Sequence, residues 1–215
     1  MPGAYSNPLR IYAVVPVEEG AGLRMHGART LRSGALAAII GSPPGFADVA
    51  RAAQWHDRVV ARSLRVCSAV VPFRSGVEVG SETDVYGFLR LNAGELSGLL
   101  GHFHGRVEMG LKARVAPPTS ELLRLPFGID RVRTLAPRPG DRREWLMRGR
   151  HGTTFEGYYL ISRRAADEFW RALDDIRRAV PEVPLLGSGP WAPYNFCDAP
   201  LRRSVERTKA ALEGM

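Results

Sequence analysis

The 215-residue chain is short of cysteine, short of lysine and without any long hydrophobic run, and each shortage excludes something. Cys67 and Cys197 are the only cysteines, far apart and outside any Cys-x-x-Cys or Cys/His ligand spacing, so no disulfide framework or zinc module is implied. Cys67 sits in the apolar run Val66-Cys67-Ser68-Ala69-Val70-Val71 and reads as a small core residue. No apolar stretch approaches the roughly 20 residues needed to cross a bilayer. The start, Met1-Pro2-Gly3-Ala4-Tyr5-Ser6-Asn7-Pro8, lacks the charged-then-apolar pattern of a signal peptide. A reduced, cytosolic setting with no membrane contact is the expectation.

Lys112 and Lys209 are the only lysines among 30 basic residues. The net charge of +8 invites a nucleic-acid reading. An arginine excess interleaved with acids, as in Arg142-Arg143-Glu144, fits a charged surface better. No basic run with interleaved aromatics occurs, so nucleic acid is not an expected partner. Phosphate loops are missing too: there is no GxGxxG after a strand and no GxxxxGK[ST]. Gly94-Glu95-Leu96-Ser97-Gly98 has similar spacing but lies in a helical context.

What is present is ordinary globular composition, with 45% hydrophobic and 24% charged residues. Residues 9–17 read as a strand apolar on both faces, and residues 35–40 as a second strand ending at Gly41-Ser42-Pro43-Pro44. Val49, Ala53, His56, Val60 and Leu64 share one face of a helix over residues 47–64. Residues 65–73 read as a central strand. Helical signals over 81–100 are interrupted near Asn92-Ala93-Gly94. Residues 106–115 alternate, with Val107, Met109, Leu111, Ala113 and Val115 on one face and Arg106, Glu108, Lys112 and Arg114 on the other. Together these predict a compact α+β domain over 1–116.

Beyond Pro117-Pro118 the chain is rich in arginine, proline and glycine, so 117–152 reads as a linker or flexible insertion. Within it, 122–129 could form a short element. Order returns with a strand over 154–162, a helix over 165–179 and a strand over 183–186, giving a second compact α+β domain over 153–199. Residues 200–215 read as a terminal helix, with Asp198 as N-cap and Pro200 in the first turn.

Candidate chemistry is sparse. His56 lies on an apolar helix face, where a hydrogen-bonded core histidine is the simple reading and a catalytic base the sharper one. His102 and His104 flank Phe103 and could form a two-imidazole metal edge, but no third ligand is evident and the neighbouring glycines suggest a loop. Glu108 and Lys112 share a strand face and could make cross-strand ion pairs or a partner surface. Arg74, after a buried strand, could pair with Glu108. An enzyme on a compact α+β scaffold would use His56, Arg74 and Glu108.

Several segments resemble, in order, the gas vesicle F/L family. Ile11-Tyr12-Ala13-Val14-Val15-Pro16 is similar to its opening strand, and His56-Asp57-Arg58-Val59-Val60 to its helical histidine followed by valines. Val70-Val71-Pro72-Phe73-Arg74-Ser75-Gly76 resembles its Leu-Pro-x-Arg-Phe-Gly turn, and Glu108-Met109-Gly110-Leu111-Lys112 its Glu-Trp-Gly-Val-Lys strand. The most specific piece is Gly189-Pro190-Trp191-Ala192-Pro193-Tyr194-Asn195-Phe196, which resembles the Gly-Pro-Trp-Pro-Pro-Tyr-Ser-Phe signature. Ser75 and Met109 depart from the family's usual Phe and Trp, and 117–152 is shorter than the usual helical middle.

The resemblance implies an α+β protein of two layered domains, the C-terminal one ferredoxin-like. It implies no catalysis, no cofactor and no metal. It implies association with a gas vesicle in the cytoplasm, and contact with the small hydrophobic shell protein and other gas vesicle accessory proteins. The alternatives are an enzyme on the ferredoxin-like scaffold using His56, Arg74 and Glu108, or a divergent member repurposed as a protein-binding module. The family-signature positions are His56, Pro72, Arg74, Gly76, Glu108, Gly110, Lys112, Gly189, Pro190, Trp191, Pro193, Tyr194 and Phe196, read as structural. The 189–196 segment itself reads as a proline-broken turn that pins Trp191, Tyr194 and Phe196 onto the core.

Overall fold

The computed structural model describes residues 9–20, 23, 25, 27–42, 49–115, 125–149 and 152–197. It divides into two compact units, residues 1–104 with 197–215, and residues 105–196.

The first unit is built on an antiparallel sheet. Its strands are β1 (Leu9–Pro16), β2 (Arg29–Ser33), β3 (Leu36–Gly41), β4 (Val71–Pro72) and β5 (Glu78–Val79). The order is β2-β3-β1-β4, with β5 paired to the start of β1. Ile11, Tyr12, Ala13, Val14 and Val15 are all buried, so β1 is enclosed on both faces as its unbroken apolar run predicts. A register shift between Ile11 and Ala13 leaves Tyr12 at a bulge. A one-turn helix α1 (Val17–Gly20) follows β1.

Helix α2 (Val49–Val66) packs on β1. Its buried stripe is Ala52, His56, Val59, Val60, Ser63 and Leu64, at three- and four-residue spacing. Helices α3 (Glu82–Leu91) and α4 (Ala93–Phe103) meet at Asn92. Ser81 caps α3, its hydroxyl accepting from the Asp84 amide at 3.2 Å. Asn92 Nδ2 donates to the Phe88 carbonyl at 2.8 Å, which fixes the break expected from the sequence.

The strand expected over 65–73 is corrected to Val71–Pro72 alone. Helix α2 runs on to Val66, and residues 67, 69 and 70 are buried without sheet pairing. An apolar run reads the same whether it pairs as a strand or is a buried connection. Pro72, lacking an N–H donor, sits on the edge strand, where such a residue is tolerated.

The second unit contains β6 (Arg106–Val115), α5 (Leu125–Leu135), β7 (Arg142–Gly149), β8 (Gly152–Ser162), α6 (Ala166–Ala179) and β9 (Leu185–Trp191). The antiparallel order β7-β8-β6-β9 with a βαββαβ sequence is the ferredoxin-like arrangement. Burial alternates along β8, and α5 and α6 pack together on its buried face. Phe169, Ala172, Leu173 and Ile176 carry the α6 side of that core.

Two expectations change here. The strand of 106–115 lies where predicted, but it pairs with β8 and β9 and so opens the second unit instead of closing the first. The unit boundary falls between His104 and Gly105, not at 116, and the ferredoxin-like unit is larger than 153–199. Within 117–152, residues 125–135 are helix, 139–141 a 3-10 turn and 142–149 a strand, so this stretch is not a linker throughout. Residues 116–124, 150–151 and the terminal helix expected over 200–215 lie outside the described residues.

Candidate functional site

The signature segment enters as the end of β9. Gly110 pairs with Ser188 and Glu108 with Trp191, so Gly189 and Pro190 stand opposite the single residue Met109, a bulge of one extra residue in β9. Gly189 has φ +115°, and a Cβ there would lie 2.8 Å from both the Glu108 carbonyl oxygen and Met109 Sδ. Only glycine fits that conformation and that approach. At Gly110 a Cβ would come 2.5 Å from Ser188 Oγ, so a side chain there requires the serine hydroxyl to turn away.

After the strand, residues 194–197 form a helical turn. It brings Asn195 over Glu108. The Asn195 amide donates to Glu108 Oε2 at 2.8 Å, and Asn195 Nδ2 donates to Oε1 at 2.7 Å. Glu108 is 3% exposed, and a buried carboxylate requires such donors. The Arg143 guanidinium lies 5.4 Å from the Phe196 ring centroid, a cation–π distance. Phe196 is buried as expected, but Trp191 is exposed, so the segment pins Phe196 and not Trp191.

On the same strand as Glu108, Lys112 Nζ donates to Glu156 at 2.6 Å. That hydrogen bond raises the Lys112 pKa. The expected pairing of Lys112 across the sheet is therefore present, with β8 as the partner strand.

In the first unit His56 is 1% exposed. Its Nε2 donates to the Phe73 carbonyl at 2.7 Å, and its ring centroid is 5.3 Å from that of Tyr12. Burial lowers its pKa and favours the neutral imidazole, and the Phe73 carbonyl, able only to accept, sets its proton on Nε2. It ties α2 to the chain just after β4. Cys197 Sγ donates to the adjacent Pro72 carbonyl at 3.4 Å. Arg74, Ser75 and Gly76 form an exposed turn, and Gly76 takes φ +95° there.

The structure thus places Glu108 against Asn195 and His56 against Phe73. His56 and Arg74 fall in one unit and Glu108 in the other. Glu108 spends both carboxylate oxygens, and His56 its Nε2, on structural hydrogen bonds. His102 lies in the last turn of α4 and His104 just beyond it. Among the described residues no group of three His, Cys, Asp or Glu side chains could hold a metal ion. Likewise, no described helix is long and apolar enough to cross a membrane.

Sequence reading missed Asn195 and the network around Glu144. Arg133 grips Glu144 with two hydrogen bonds, at 3.0 and 2.7 Å, and Tyr159 donates to the same carboxylate at 2.9 Å. Burial pushes the Glu144 carboxyl up, but these donors outweigh it and hold it below its ordinary value. Arg106 also reaches the buried Asp141 at 2.8 Å. Acid at 144 with base at 133 has no local spacing signal, because the partners come from a helix and an edge strand.

The chain is thus a two-unit α+β protein with two antiparallel sheets, the second in a ferredoxin-like unit that holds the Glu108–Asn195 contact. The chain belongs to the gas vesicle synthesis protein GvpL/GvpF family, whose model matches residues 9–126 and 129–198. It is 27% identical over 160 residues to gas vesicle protein F of Haloferax mediterranei, covering 72% of this chain and 73% of that one. The crystal structure of GvpF from Anabaena sp. PCC7120 is similar in fold, with a TM-score of 0.71 at 16% identity over 89% of this chain and 96% of that one. GvpF from Microcystis aeruginosa gives a TM-score of 0.67 at 14% identity over 89% of this chain and 99% of that one.

Proposed function

We propose that this chain is a non-enzymatic assembly factor that binds the hydrophobic gas vesicle shell protein, during vesicle assembly or as a minor vesicle component. The observation that carries the reading is the family match, which spans both units. The physical logic supports it. A strongly apolar shell subunit aggregates unless a partner covers its apolar face or its open sheet edge before assembly. An α+β protein whose Glu108 carboxylate and His56 Nε2 are committed to hydrogen bonds within their own units suits binding better than catalysis. On this reading the protein acts in the cytoplasm at the vesicle, with the shell protein and other accessory proteins as partners. The signature residues serve the fold: Gly189, Gly110 and Glu108 shape the end of the sheet, and His56 and Pro72 the first unit.

Deleting the gene in a vesicle-forming host should lower vesicle yield, measured by flotation and by pressure-sensitive light scattering. A plasmid copy should restore it. Normal vesicles in the deletion strain, with no detectable shell complex, would sink the reading.

A further inference from the structure

β7 is an edge strand whose composition is wrong for an edge left in water. It pairs with β8 on one side, and among the described residues no strand pairs with the other. Three consecutive large apolar side chains stand exposed on it: Trp145 at 45%, Leu146 at 52% and Met147 at 47%. Successive residues of a strand point to opposite faces, so both faces of this edge are apolar and its free backbone groups lie between them. Such an edge is a template for another strand unless something covers it.

Its charges say which strand fits. Arg142 and Arg148 bracket the apolar triplet, while the one acid of the strand, Glu144, is held by Arg133. A second copy fits badly. In antiparallel self-pairing centred on Trp145, Arg142 meets Arg148; centred between Trp145 and Leu146, Arg143 meets Arg148; centred on Leu146, Arg148 meets only Glu144, whose carboxylate Arg133 already holds. Symmetry repeats the clash in the first two registers, and directly opposed like charges destabilise a sheet pair. The matching partner is an apolar strand flanked by acids.

We infer that the β7 edge, through Trp145, Leu146 and Met147, adds an extended apolar segment of the shell protein as a fifth strand, with Arg142 and Arg148 clamping acidic residues at its ends. This rests on the shell-binding reading and names the surface that performs it.

The test uses the tagged full chain co-expressed with the host's shell protein. Wild type captures it. Leu146→Lys with Met147→Lys lowers capture by about tenfold or more, because lysines on an edge oppose strand addition. Arg142→Glu with Arg148→Glu lowers it severalfold. Leu186→Lys on β9, an exposed apolar residue at the opposite edge, leaves it unchanged. Thermal unfolding of each variant alone checks folding. Should the lysine pair misfold, hydrogen exchange on wild type decides: amides of residues 143–148 gain protection on shell binding if the edge is used, and unaltered exchange there overturns the proposal. Capture insensitive to every β7 change, or lost equally with Leu186→Lys, also overturns it while leaving shell binding intact. No capture by wild type defeats the shell-binding reading itself. A concentration-dependent dimer broken by the same lysines would assign the edge to a second copy, against the proposal.

Discussion

The two units solve the same problem, closing an antiparallel sheet, in different ways. In the first, β1 is buried on both faces and the polar groups inside are neutral, as in the His56–Phe73 bond. In the second, helices cover one face, ion pairs such as Arg133–Glu144 brace the sheet, and the β7 edge is apolar and unpaired among the described residues. The contrast separates a unit whose buried polar groups are neutral from one braced by ion pairs and carrying an exposed apolar edge strand. Buried neutral hydrogen bonds hold shape with little dependence on salt, whereas partly exposed ion pairs weaken when screened.

The largest expected effect is on the shared requirement, a packed core. Phe169→Ala should destabilise the second unit by about 3–5 kcal/mol, measured by denaturant unfolding, because a fully buried ring leaves a cavity. A loss below about 1 kcal/mol would mean that α6 is not essential to that core. Next is Gly189→Ala, which forces a side chain into a left-handed conformation and against Glu108. A loss of about 1–3 kcal/mol is expected by the same measurement, and a neutral result would break the account of the signature bulge.

Arg133→Met removes both donors to a part-buried carboxylate. After discounting for solvent, about 1–2 kcal/mol should be lost. The Glu144 carboxyl is held below its ordinary pKa, so its contribution is full above the unfolded value near 4.5 and is lost as pH falls through the lower folded one. The variant should therefore flatten the acid limb of the stability curve below about pH 4.5.

His56 titrates in a different window. Its folded pKa is lowered, so below about 6.5 the unfolded chain binds more protons than the native one and stability is lost as the pH falls. In His56→Gln the melting temperature should lose its dependence between pH 7 and 5, and an unchanged slope would contradict a buried neutral imidazole. The smallest effect is Lys112→Ala. Its ion pair with Glu156 is solvent-exposed, and no measurable change in melting temperature is expected.

How much of this was legible depended on whether burial left a period in the residues. Strand β6 shows in-out alternation, and it lies where predicted. Helix α6 shows its stripe equally well. Strand β2 carries one buried side chain, Leu31, among polar neighbours, so no pattern marks it. Strand β7 hides for the opposite reason: its apolar residues are consecutive and exposed, and its arginines resemble a linker. Helix α5 did leave a trace. Ile129, Val132 and Ala136 are buried at spacings of three and four, but Pro126 and Gly128 mask its start. The signature segment was recognisable by its residues alone, yet its one buried charge partner, Glu108, sits 87 positions away. Only the sheet register brings them together.

The central claim is that this chain binds the vesicle shell protein, and co-purification tests it most directly. The tagged full chain, co-expressed with its host's shell protein, should retain that protein in a soluble complex through size exclusion, while the shell protein alone goes to the pellet. Shell protein that pellets equally with and without this chain would contradict the account.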